Sequence, residues 1–169
     1  MRWSISLLKK SEAPSAIKAW CKKMWTQYKK NPKIWFSDNG GEFVNNELQA
    51  WAHQEGLRWD LTTAYTPEQN GIAESTNKVI LNKARAMIIG SGCLEALWCF
   101  AMDYACYVTN RLANKTTKKI LFQDFEEDLE AGAIEVDLTN IRVFGCRAYR
   151  NTPKENRQLS RKFALRGEF

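Results

Sequence analysis

Ile34-Trp35-Phe36-Ser37-Asp38-Asn39-Gly40-Gly41-Glu42-Phe43 joins a compact apolar run to a polar, glycine-rich turn. Three apolar residues stopped by Ser37 to Gly41 predict a short buried strand with Asp38 at its C-terminal end. Taken alone, Asn39-Gly40 also suits a hairpin turn. The residues that follow favour a helix instead. Asn45-Asn46-Glu47 supplies a capping residue, Leu48, Trp51 and Ala52 an apolar face, and Gly56 a stop. Leu57, Trp59 and Leu61 then alternate with polar neighbours as a second strand, and a polar loop runs from Thr62 to Asn70 with Pro67 near its middle.

Upstream, Trp3, Ile5 and Leu7 alternate with Arg2, Ser4 and Ser6, which predicts a short half-buried strand. From Pro14 the period becomes helical. Ile17, Trp20, Cys21, Met24, Trp25 and Tyr28 fall on one face, lysines lie away from it, and Asn31-Pro32 stops the helix. That tryptophan stripe is expected in the core rather than as a platform for stacked bases. Downstream, Ile72, Val79, Ile80, Ala84, Met87 and Ile88 predict a long helix from Gly71 to a stop at Gly90. A second long helix is expected from about Leu94 to Leu112, with Leu97, Trp98, Ala101, Tyr104, Ala105 and Val108 inward, and a short strand over Arg142 to Phe144. Strands alternating with helices indicate an α/β fold.

The chain has 169 residues, a size at which one domain buries roughly 70% of its unfolded surface. Its 44% hydrophobic and 12% aromatic content excludes intrinsic disorder. No run approaches the ~18 to 20 apolar residues that cross a bilayer, so no membrane partner is expected. The start lacks a secretory pattern, which predicts an intracellular protein of the nucleus or cytoplasm whose five cysteines stay reduced. With one His and no C-x-x-C, zinc is not expected. The net charge of +6 is unevenly spread. Asp124 to Asp137 holds seven acids and no Lys or Arg, while Arg142 to Phe169 holds eight basic residues against Glu155 and Glu168. Lys18 to Lys33 adds six lysines without an acid, and such excess favours a polyanionic partner.

Asp38 and Glu74 are the candidate chemical pair. Functional groups of open α/β sheets gather at strand C-termini, where Asp38 lies, and Glu74 is expected in the first turn of its helix, where the dipole stabilises a carboxylate. Converging carboxylates without His or Cys are hard ligands for Mg²⁺ or Mn²⁺. Lys78 lies one turn beyond Glu74 on the same face, placed to hold a phosphate backbone. The ordinary alternative is a turn-capping Asp38, a helix-end Glu74 and Lys78 as its i,i+4 partner. Glu42, Asp60 and Glu68 rank below the pair as ligands, and His53, beside Trp51, is expected in an ordinary surface or half-buried role.

The blocks around these residues are more specific than the spacing. SDNGGEF at Ser37 to Phe43 and YTPEQNGIAES at Tyr65 to Ser75 resemble the second-Asp and Glu motifs of the DDE integrase core of retroelements. LWCFAMDYACYVTNRL at Leu97 to Leu112 and IRVFGCRAY at Ile141 to Tyr149 resemble blocks that follow the core in Ty1/copia-type retrotransposon Pol polyproteins. The likeness covers nearly the whole chain. ESTNKVI is closer to the retroviral variant than to the AERxNRT of copia elements, and KFALRGEF only loosely matches the end of the last block.

The resemblance implies a ribonuclease H-like core that processes the ends of element cDNA and joins them to target DNA with Mg²⁺ or Mn²⁺. Asp38 would be the second acidic metal ligand and Glu74 the third. MRWSISLLKKSEA aligns with the third strand of such cores, so the first two strands, and with them the first catalytic Asp, have no counterpart. Gln69, Asn70, Lys78, Lys83 and Arg85 are the expected DNA contacts, and a homo-oligomer is the expected assembly. The implied organisation is a truncated core with its following helix over residues 1–112, an acidic linker over 113–140 and a basic post-core segment over 141–169. The alternative function is that of a degenerate, non-catalytic remnant that binds nucleic acid through Lys78, Lys83, Arg85 and the basic tail.

Overall fold

A computed structural model of the chain describes residues 1–61, 67–129 and 135–148, together with the backbone at 150–151 and 167–168. In order these form α1 (Ala13–Tyr28), β1 (Ile34–Ser37), α2 (Asn46–Gln54), β2 (Arg58–Leu61), α3 (Pro67–Ser91), α4 (Trp98–Arg111), α5 (Leu121–Asp128), β3 (Arg150–Asn151) and β4 (Gly167–Glu168). β1 and β2 pair in parallel, Ile34 opposite Arg58 and Ser37 opposite Leu61, and β3 and β4 form a separate antiparallel pair. A parallel pair needs a crossover of a dozen or more residues, and α2 provides it. The Asn45 side chain accepts from the Glu47 N–H at 2.8 Å to cap α2, and Gly56 leaves it at φ +68°.

One core lies between α1 and this β-α-β unit. Ile17, Cys21 and Leu48 are buried there, with Trp20, Trp35, Phe43, Trp51 and Trp59 packed around them. Trp35 and Trp59 stack at 5.6 Å across the two strands, and Trp20 meets Trp35 edge-on at 5.7 Å. The expected stripe of α1 is only partly inward, since Trp25 is 53% exposed. The helix also ends earlier than Asn31-Pro32, at Lys29, whose backbone is left-handed at φ 55°. β1 is not the buried strand the apolar run predicts. Successive side chains point to opposite faces, so Trp35 and Ser37 turn inward while Ile34 (45%) and Phe36 (68%) face out.

The second core joins α3 to α4 through Ile80, Ala84, Ala101, Ala105 and Cys106, flanked by Met87, Ile88, Met102 and Phe144. α3 begins at Pro67, within what the sequence suggests is a loop, because proline suits the first turn of a helix, where no N–H partner is needed. Thr62 to Thr66 lie outside the described residues. The helix passes through Gly90 and stops at Gly92, which takes φ +66°. Val79 and Trp98, expected inside, are exposed, whereas Cys106 and Asn110 are buried. A short 3-10 turn at Glu95–Leu97 precedes α4, so Leu97 is not on its inner face.

Residues 1–7 form no ladder, so the strand expected at Trp3 to Leu7 is absent. Their backbone is held by side chains instead. The Arg2 N–H donates to Asn110 Oδ1 at 2.9 Å, and Asn110 Nδ2 donates to the Arg2 carbonyl at 2.7 Å, so a buried amide takes the place of a strand neighbour. The Ser4 hydroxyl donates to Asp103, and Trp3 packs edge-on against Trp20 and Phe125.

The acidic stretch read as a linker contains α5, which folds onto α4. Phe125 meets Tyr28 at 5.2 Å, and the Arg111 guanidinium lies 3.7 Å from the Tyr107 ring and 4.9 Å from Phe122. Apolar residues one turn apart drive this docking, while Glu127 and Asp128 are exposed, Asp124 is half-buried beside Lys119 and Glu126 is buried. The strand expected at Arg142 to Phe144 is also absent, because the Tyr104 hydroxyl takes both backbone groups of Arg142, accepting from its N–H and donating to its carbonyl. Beyond it, Gly145 sits at φ +73° against the end of α3, where an added Cβ would lie 2.6 Å from Ser91 Cβ and 2.7 Å from Cys93 Sγ. Gly145→Ala is expected to cost about 1–3 kcal/mol, from backbone strain plus overpacking, read as a melting temperature lowered by several degrees.

All five cysteines are free thiols. Burial, with the Glu55 carboxylate as a smaller cause, pushes the Cys21 thiol up to about 11 from its ordinary 9.0. A raised pKa means that the folded state holds the proton more tightly. The resulting stability is therefore complete below pH 9 and disappears as pH rises through about 11. Denaturant melts of the wild type and Cys21→Ala should diverge by about 2–3 kcal/mol across that window, and parallel pH profiles would contradict the assignment.

Candidate active site

The end of β1 is fixed by Ser37, whose hydroxyl oxygen accepts from Trp59 Nε1 at 3.1 Å across the sheet. Asp38 follows at the surface, and its Oδ1 accepts from the Gly40 N–H at 3.2 Å. The Gly40 carbonyl in turn accepts from Phe43 and Val44, closing a tight turn. The turn is tight around Gly40, against the ends of two side chains. A Cβ on Gly40 would stand 3.0 Å from the Glu42 carboxyl and 3.1 Å from Asp38 Oδ1. Glu42 also lies 4.0 Å from Lys10 Nζ.

Glu74 reaches the same place from α3. Asp38 and Glu74 both line one open cleft of about 740 Å³, together with Ser37, Ala73 and Asn77. The rest of its lining is largely apolar, with Trp3, Ile5, Trp20 and Phe36 among the residues that contribute. Because α3 begins at Pro67, Glu74 lies about two turns inside the helix rather than in its first turn. The dipole contribution expected from the sequence, which fades beyond the first turn, does not apply to it. Asn77 is the lining residue that sequence reasoning missed. Its signal is the i,i+3 spacing from Glu74, which places both on one face.

The expected DNA contacts are distributed differently. Lys78 and Arg85 are exposed on α3, seven residues and so about two turns apart. Lys83 is partly buried and donates to Thr109 Oγ1 at 2.8 Å, and burial, then the nearby Arg2, lowers its pKa. Its ammonium therefore serves the α3–α4 contact rather than the open surface. The side chains of Gln69 and Asn70 lie outside the described residues, as does that of Glu68. Asp60 is paired with Arg58 at 2.9 Å, and His53 is exposed on α2. Among the described residues no three His, Cys, Asp or Glu side chains gather as a metal site. The pair alone suits a hydrated Mg²⁺ or Mn²⁺, since Mg²⁺ keeps several waters and takes one or two carboxylates plus substrate phosphates.

The arrangement matches solved structures of one class. The catalytic core domain of HTLV-2 integrase, solved in complex with magnesium in a trimeric form, superposes with a TM-score of 0.52 at 21% identity, over 68% of this chain and 70% of that one. A chain of the simian T-cell lymphotropic virus intasome in complex with PP2A regulatory subunit B56 gamma gives 0.60 at 17% identity, over 85% of this chain and 52% of that chain, and the catalytic core domain of BIV integrase 0.54 at 16%, over 75% and 77%. The fold is that of a retroelement integrase catalytic core, of the ribonuclease H-like kind. In sequence, the chain is a homologue of Ty1/copia-type Pol polyproteins. It is 35% identical over 121 residues to the retrovirus-related Pol polyprotein of transposon TNT 1-94 from Nicotiana tabacum, covering 72% of the chain and 9% of that protein. It is 29% identical over 108 residues to the Ty1-LR3 Gag-Pol polyprotein of Saccharomyces cerevisiae, and 26% over 147 residues to the Pol polyprotein of transposon RE1 from Arabidopsis thaliana. The chain spans 9%, 6% and 10% of the lengths of these three relatives, in that order. No family model matches it.

Proposed function

We propose that this integrase-like domain carries out metal-dependent processing and joining of DNA ends, with Asp38 and Glu74 as the ligands of Mg²⁺ or Mn²⁺. The observation that carries this is that Asp38 and Glu74, with 35 residues between them in the chain, line one open cleft. When bound, the ion would supply Lewis-acid stabilisation to the phosphodiester oxygens of an in-line displacement. The protein's part is positional. The Gly40 N–H holds one oxygen of Asp38 and fixes the orientation of that carboxylate, while the Trp59–Ser37 bond fixes the strand end behind it. Lys78, one turn from Glu74, holds the phosphate backbone of the end, with Arg85 further along the same helix. The substrates are element cDNA ends and target DNA in the nucleus or cytoplasm. The acting form is a homo-oligomer, a proposal supported by the trimeric and intasome neighbours.

A second reading, a non-catalytic nucleic-acid binder, is favoured by the presence of two rather than three acidic ligands among the described residues. The deciding experiment incubates the chain with a blunt duplex and a plasmid in Mg²⁺ or Mn²⁺. Joining that disappears with chelator supports the first reading. Salt-sensitive DNA affinity without joining selects the second.

A further inference from the structure

We propose that the trough between α1 and α2, away from the carboxylate cleft, is a binding site for single-stranded nucleic acid. Lys18, Cys21, Lys22, Trp25, Asn31, Trp51 and Glu55 line a depression of about 510 Å³ there. Lys18, Lys22 and Trp25 follow at i, i+4 and i+7, which places them in one row along α1, rising about 10 Å, and Lys29 caps the C-terminal end of that helix. From Ala13 to Lys33 the chain carries six lysines and no acid. Two of these are engaged, Lys18 with Glu47 at 2.9 Å and Lys30 with the Asp128 carbonyl. Lys22, Lys23, Lys29 and Lys33 are exposed and make no ion pair among the described residues.

The aromatic component distinguishes this surface from a merely soluble one. Trp25 stands 53% exposed in the midst of the lysine row, and Trp51 lines the same depression with Lys18 Nζ 5.8 Å from its ring. A cationic row interleaved with an accessible indole matches a strand whose phosphates track the lysines and whose unstacked bases lie on the ring. A duplex keeps its base faces stacked inside and offers the indole nothing, so the occupant is single-stranded. Asn31 provides a polar group on the rim, and Glu55 is the one acid of the lining, opposing the phosphates. The site needs no metal and stands independently of the function proposed above.

The test uses a fluorescein-labelled oligo-dT 12-mer in chelator, with anisotropy and tryptophan fluorescence as readouts, and a hairpin duplex of equal phosphate number for comparison. Preference for the single strand, with quenched indole emission, is expected. Trp25→Ala should weaken binding about tenfold, and Lys22→Ala should lower the slope of log affinity against log salt by about 0.7. Glu55→Gln should tighten binding. Trp25 and Lys22 are exposed, so unchanged melting temperatures in both variants separate loss of the site from loss of the fold. Asp38→Asn/Glu74→Gln should bind the oligonucleotide as the wild type does. The proposal is overturned if duplex and single strand bind alike, if Trp25→Ala binds normally, or if the carboxylate variant loses the affinity.

Discussion

Asp38→Asn and Glu74→Gln are each expected to lower metal-dependent joining of a DNA end by about 10³-fold, and the double variant little further. Removing one member of a unit that acts together costs nearly as much as removing all of it. Both substitutions keep side-chain volume and remove only the charge that a hard divalent ion requires. Both residues are exposed, so neither change should move the melting temperature by more than about a degree. The assay is strand transfer into plasmid at fixed Mn²⁺, with circular dichroism melts in parallel. Wild-type rates in either variant would remove that residue from the site. Lost joining with an unaltered melt would locate the effect in the chemistry rather than the fold.

Leu48→Ala should give the largest loss of stability of any single truncation. Leu48 has no exposed surface and fills the centre of the core between α1 and the β-α-β unit, where Ile17, Cys21 and four tryptophans meet around it. Deleting three carbons from such a site costs about 2–5 kcal/mol, because rings braced against one another close poorly over a cavity. For a chain of this size that is a fall of roughly 10 °C in melting temperature. Leu8→Ala provides the contrast. Leu8 is 95% exposed and should change stability by less than about 0.5 kcal/mol. Equal effects at the two positions would refute the assignment of the core.

The local signals of the β-α-β unit were legible because they are chemical and short-range. Asn45 caps where its side chain dictates, and Gly56 ends α2 in the conformation that glycine tolerates. Pro67 misled for a complementary reason. A proline marks either a loop or the first turn of a helix, and only the packing of α3 on α4 chooses between them. Either Gly90 or Gly92 satisfies the rule for a helix stop, and the sequence does not rank them. Burial was the least legible quantity. Ile34, Phe36, Trp25 and Trp98 are apolar residues whose exposure depends on what covers them, which is a property of distant elements. The same applies to Lys83, whose engagement by Thr109 follows from how two helices cross. The motif words around Asp38 and Glu74 singled out two residues that line one cleft, whereas Asn77 carried no motif of its own.

The clasp of Asn110 on Arg2 bears on how the protein breathes. Residues 1–7 contribute Trp3, Ile5 and Leu7 to the wall of the carboxylate cleft, yet a few side-chain hydrogen bonds and ring contacts, rather than a ladder, attach them to the body. Such an attachment opens locally at a free energy well below that of global unfolding. Amide protons of this segment should exchange with solvent long before those of α3 and α4. One side of the cleft can therefore part from the other while both cores stay folded.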